Sequence, residues 1–143
     1  MKVDLTNNDP MKNIGIVEIV DVGKTADNIN ELVSICFGNA KSAGWHKEVA
    51  PDVENYLKAT QLMLMVSEIA EAMEGTRKSL MDDHLKHRPM VEVELADAII
   101  RICDFSGRWG LDLGGAVVEK LEYNKSRADH RPENREKEGG KKF

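Results

Sequence analysis

The sequence predicts an all-α protein, a four-helix bundle preceded by a short N-terminal arm or strand. Apolar residues recur at helical spacing through four segments that are separated by Gly- and Pro-containing breaks. Aromatics supply only 5% of the chain while Met contributes seven residues, so the core must be aliphatic and Met-rich, as in packed helices. The one β-branched run, Ile14 to Val20, lies in the arm, and a single strand needs a partner such as the same arm of another subunit.

Residues 1–24 form the arm, with a turn-rich cluster at Asn7, Asn8, Asp9 and Pro10. Thr25 and Asp27 are suited to cap a first helix from about Ala26 to Ala43, whose Ile29, Leu32, Val33, Ile35, Cys36 and Ala40 keep a helical period. Gly44 is a natural stop. A linker to Pro51 follows, and Asp52 starts a second helix from Val53 to Lys78, roughly 39 Å long at 1.5 Å per residue. Gly75 loosens its end. The polar stretch Met81 to Pro89 reads as a loop with room for a helical turn. A third helix spans Met90 to Arg108 and ends at Gly110. The fourth runs from Asp112 to about Asp129, its Gly114-Gly115 pair allowing close approach to a neighbour. Residues 25–131 thus make the helical domain, and 132–143 a flexible charged tail.

A chain of 143 residues suits one domain, and 41% hydrophobic with 31% charged residues suits a soluble one. The net charge of −5 argues against a nucleic-acid-binding surface. It does not argue against a nucleotide, whose phosphates can be held by metal ions on carboxylates. Cys36 and Cys103 fall in apolar surroundings outside any Cys-x-x-Cys spacing and read as buried thiols of a reducing compartment. Neither a signal-peptide core nor a run approaching ~20 apolar residues is present, so the expectation is a cytoplasmic protein without a membrane partner.

The informative feature is a pair of acidic motifs. Glu68 and Glu71 stand three apart on the second helix, Glu94 and Asp97 three apart on the third, so each pair shares a helix face. On the second helix Leu57, Gln61, Leu64, Glu68, Glu71 and Gly75 form one stripe, which places both carboxylates in line with apolar positions. No Lys or Arg lies within one turn of Glu68. The third helix carries Glu94, Asp97, Arg101, Asp104 and Arg108 on one polar stripe, with Leu95, Ile99 and Ile102 on its apolar flank. Each motif alone reads as a solvated surface pair, Asp97–Arg101 included. If the two helices pack antiparallel, the four carboxylates face one another and call for a hard divalent cation, Mg²⁺ first with Mn²⁺ as a substitute.

Glu68-x-x-Glu71, followed after the 22 residues 72–93 by Glu94-x-x-Asp97, resembles the signature of the MazG-like all-α nucleoside triphosphate pyrophosphohydrolases. The segments SEIAEAMEG and VEVELADAIIRICD resemble the motif helices of that superfamily, which includes dimeric dUTPases, dCTP pyrophosphatases and phosphoribosyl-ATP pyrophosphatases. Tyr123 to Arg131 is similar to the tail of MazG-like proteins of phages and bacteria, and the similarity runs from about Ala26 to Arg131. The resemblance implies a MazG-like bundle, a homodimer or homotetramer, and hydrolysis of a (deoxy)nucleoside triphosphate to monophosphate and pyrophosphate, as in nucleotide-pool housekeeping. It implies Mg²⁺ on Glu68, Glu71, Glu94 and Asp97, with Glu71 and Glu68 the candidates to orient or deprotonate the water.

Lys120, Asn124, Arg127 and Arg131 step along one face of the fourth helix and suit a polyphosphate, or form a solvated face paired with Glu119 and Glu122. Arg77 follows the first motif and can contact phosphate or cap its helix. Trp45 and His46, after the first helix, offer a ring for a base or an anchor for the helix end. His84 and His87, near Asp82 and Asp83, lack Cys partners for zinc and read as a solvated loop. Met63, Met65 and Met73 suit either a subunit seam or ordinary core packing. The alternative function is a helical nucleotide-binding or regulatory protein without turnover. A carboxylate-bridged redox centre would need Glu-x-x-His, which neither motif helix has.

Overall fold

The computed structural model describes residues 21–126; the expected N-terminal arm and charged tail, Arg127 and Arg131 included, lie outside the described residues. Four α-helices follow in order: α1 Val22–Ser42, α2 Glu54–Lys78, α3 Met90–Arg108 and α4 Leu113–Ser126. Among the described residues no helix is long and apolar enough to cross a membrane.

Helix α1 begins one turn earlier than Thr25 or Asp27 would start it. Asp21 is the cap, its side chain accepting from the Lys24 N–H at 3.2 Å, so Gly23 sits inside the first turn instead of breaking it. The helix ends as expected at Gly44, which takes the left-handed conformation at φ 82°. Helix α2 starts without a side-chain cap, and its end is closed by Ser79 in the left-handed region at φ 52°. Asp112 supplies the start of α4, accepting from the Gly115 N–H at 3.0 Å and from Asn30 Nδ2 at 2.9 Å. The Asn30 and Gly115 donors hold the Asp112 carboxyl below the ordinary carboxylate range.

The substantial helix contacts are α2 with α3, α3 with α1, and α1 with α4. Three pairings, Gly75 with Met90, Glu68 with Arg101 and Gln61 with Trp109, run in opposite senses along α2 and α3, so these helices are antiparallel. Small residues let the axes approach. Ala72 and Gly75 on α2 and Ala98 on α3 are buried, and a Cβ on Gly75 would lie 3.0 Å from Met90. The core between α1 and α3 is built on Val33, Cys36 and Cys103, with Leu113 packed against it.

The apolar flank expected on α3 is not core. Leu95, Ile99 and Ile102 are exposed, as are Leu62, Met63, Val66, Ile69 and Met73 of α2. The reason is the packing order: α2 meets the rest of the described chain chiefly through α3, so its remaining faces have nothing to bury against.

Helix α4 approaches α1 at Gly114, where an added Cβ would overlap the Ala26 carbonyl oxygen and lie 2.8 Å from Asn30 Oδ1. That oxygen accepts from the Gly114 N–H at 2.9 Å. Gly114→Ala is therefore expected to lower stability by about 1–3 kcal/mol in urea unfolding, through displaced backbone and a strained Asn30 bond.

Candidate metal centre

The two acidic motifs meet. Carboxylate oxygens of Glu68, Glu94 and Asp97 lie within 4.8 Å of one another. Antiparallel packing produces this directly, because α2 presents Glu68 to the same seam into which the first turns of α3 deliver Glu94 and Asp97. Glu68 and Glu94 are buried, at 6% and 8% exposure, while Asp97 stands at the more open edge. Glu71 is exposed and outside that trio, but it lines the same cavity of about 460 Å³.

The cluster lacks enough positive charge. Burial pushes the Glu94 carboxyl up to about 7, helped by the Glu71 charge, by a hydrogen bond to Glu68, and by the Glu68 and Asp97 charges. The described residues answer with one close cation. Arg101 donates from Nε to Glu68 Oε1 at 2.6 Å, reaching across from α3. The spacing of Asp97 and Arg101 suggests a local i, i+4 pair; the structure gives the guanidinium to the opposite helix instead, because the buried carboxylate has more to gain from it.

The α2–α3 connection forms another wall. Asp82, His84 and Leu85 line the cavity with Val93 and Arg101. Asp82 is buried and accepts from the backbone N–H groups of Leu85 and His84, which hold its carboxyl below the ordinary range. Paired backbone bonds from Met90 to Leu80 and from Asp82 to Arg88 pin the loop at its base. His84 and Arg101 thus join the site although their sequence context points elsewhere. A polar loop between two motif helices was the available signal for His84.

The other candidates among the described residues do not line the acidic cavity. His46 sits between Asp104, at 2.6 Å from its Nε2, and Arg108, whose Nη1 is 2.8 Å from its Nδ1. Arg108 also donates to the Lys47 carbonyl at 2.9 Å, and the Phe37 ring lies 5.1 Å away. His46 therefore fastens the α1–α2 connection to the end of α3. Trp45 is 77% exposed. Arg77 pairs with Glu74 at 3.0 Å, and Lys120 lies over the Tyr123 ring at 4.6 Å beside a separate depression on α4. Asn124 has a buried Oδ1 without a hydrogen-bond partner among the described residues. His87 is exposed and does not line the cavity.

The residues fit a divalent cation: an all-oxygen donor set converging from two helices, with a carboxyl pushed up by burial and by the neighbouring carboxylates. The donor chemistry favours a hard ion and does not discriminate further.

Between pH 4.5 and about 7 the folded Glu94 keeps a proton that the unfolded chain has lost, so this group's stabilisation, full below pH 4.5, fades as pH rises through 7. Urea midpoints should fall from pH 5 to pH 7.5 in the wild type, and Glu94→Gln should flatten that slope. A divalent cation added at pH 7.5 should restore the midpoint in the wild type but not in Glu94→Gln. His46→Ala should cost about 1–3 kcal/mol in the same assay, from two stranded partners, without altering divalent-cation affinity.

No protein-family model, curated protein or solved structure matches the chain. Among the described residues its geometry establishes four packed α-helices with a largely buried acidic cluster, Glu68, Glu94 and Asp97, that could hold a metal ion.

Proposed function

We propose that the chain is a Mg²⁺-dependent nucleoside triphosphate pyrophosphohydrolase of the MazG-like type. The observation that carries this reading is the convergence of the two motifs: three of their four carboxylates share one ion-sized space and the fourth borders the same cavity. Glu68, Glu94 and Asp97 would hold the ion, with Mn²⁺ able to replace Mg²⁺. When bound, such an ion supplies charge neutralisation for the phosphate oxygens and lowers the pKa of a coordinated water.

The chain's own residues divide the remaining work. Glu71, exposed and outside the trio, is the carboxylate left free to orient the attacking water and receive its proton. Glu68 and Glu94, buried on facing helices, fix the spacing. A triphosphate approaches from the open side at Asp97, where His84 and Arg101 are the cavity's nitrogen-bearing side chains. Attack at the α-phosphorus releases pyrophosphate and leaves the monophosphate. Lys120 and Asn124 on α4 are set apart from this cavity, so in this reading they act only across a subunit boundary. The exposed apolar face of α2, with Leu62, Met63, Val66, Ile69 and Met73, supports association of copies as a dimer or tetramer.

Pyrophosphate release from a panel of canonical and deoxy nucleoside triphosphates should require Mg²⁺ and stop with chelator. Asp97→Asn and Glu94→Gln should each lower the rate at least about 100-fold while the helical circular dichroism stays unchanged. Glu71→Gln should lower the rate about 100- to 10,000-fold with Mn²⁺ affinity little changed. Absence of pyrophosphate from every substrate, in a protein that binds Mn²⁺, would leave a metal-binding regulatory protein in its place.

A further inference from the structure

Arg101 is the strongest feature not accounted for by the acidic motifs. Its Nε donates to Glu68 Oε1 at 2.6 Å, and Glu68 is its one hydrogen-bond and ion-pair partner among the described residues. The side chain is 44% exposed and lines the cavity, whereas that of Glu68 is buried. A buried carboxylate held by a half-exposed guanidinium is an asymmetric pair. Within the packed seam, solvation favours movement of the half-exposed Arg101 side chain over movement of the buried Glu68.

We propose that Arg101 is a displaceable counter-cation, which a divalent ion must move off Glu68 and which then serves as the contact for the anionic phosphate ligand. This inference rests on the metal-site reading above. A dication entering among Glu68, Glu94 and Asp97 meets a guanidinium already on one of its oxygens, and the two positive groups repel. Arg101 stands one turn beyond Asp97 on the same face of α3, so after displacement it remains at the rim of the cavity. Its planar fork there suits bidentate contact with phosphate oxygens. Metal and anion therefore assist one another: the ion frees the guanidinium, the anion gives it a new partner, and the coupling is reciprocal.

The test is Mn²⁺ binding, followed by the resonance signal of the free ion, in wild type, Arg101→Gln and Arg101→Lys, with and without sulfate as the probe anion. Without sulfate, Arg101→Gln should bind Mn²⁺ about tenfold more tightly than wild type, because no charged hydrogen bond is broken on entry. Sulfate should tighten Mn²⁺ binding in wild type and have no effect in Arg101→Gln. Arg101→Lys, which keeps the charge and guards against a folding defect, should fall between the two. Equal or weaker Mn²⁺ binding by Arg101→Gln would overturn the inference and make Arg101 a support that merely orients Glu68. Unchanged coupling to sulfate in that variant would overturn it as well. The two levels separate cleanly: Mn²⁺ bound with one affinity by all three proteins sinks this inference alone, and no binding by any of them sinks the metal site beneath it.

Discussion

Everything in this structure that bears on chemistry depends on negative charge being gathered into the seam between two antiparallel helices. Such a seam would ordinarily be filled with aliphatic side chains, and its neighbours Ala72, Gly75 and Ala98 show how close the backbones come. Into that space the chain places Glu68 and Glu94. One guanidinium answers them, on Glu68, while burial and the neighbouring charges push the Glu94 carboxyl up. A single cation neutralises one charge where the geometry offers several oxygens to one point. Replacing the carboxylates with well-packed apolar residues would cost the fold little, so their presence is better explained by a ligand than by stability.

The sequence announced this site more fully than it announced the surroundings. Carboxylates three apart on a helix share a face whatever the tertiary structure, and two such pairs on consecutive helices joined by a short loop meet if the helices fold back. Local spacing was enough. What could not be read locally is whom each side chain meets across a gap. Arg101 lies one turn from Asp97 in sequence yet bonds Glu68, 33 residues away, because only the register of α2 against α3 brings them together. His46 follows the same rule: its partners Asp104 and Arg108 were visible as a stripe on α3, but nothing in the linker revealed that its imidazole would be used up holding that stripe's far end.

The positions of the other candidates trace to one unread fact, the order in which helices pack. A stripe of cations and amides on α4 is legible as a stripe, and its usefulness depends on which helix it faces. Here α4 lies on α1, with α3 between that pair and α2. The same order explains why Leu95, Ile99 and Ile102, apolar and periodic, stand in solvent in the single chain. Periodicity identifies a surface that wants burial without saying whether the same chain provides it. Helix ends were a smaller matter of the same kind: Asp21 outcompetes Thr25 and Asp27 as a cap because the first turn tolerates Gly23.

The one-sided attachment of α2 has a thermodynamic consequence. A helix that rests chiefly on a single neighbour can detach while α1, α3 and α4 stay folded, so the chain has a natural route to partial opening at lower free energy than complete unfolding. Detachment of α2 would carry Glu68 and Glu71 away from Glu94 and Asp97 and dissolve the acidic seam in one event. Amide protons in the middle of α2 should then exchange with solvent sooner than those of α3. An ion bound to carboxylates of both helices would act as a rivet, slowing exchange along α2 in proportion to its occupancy.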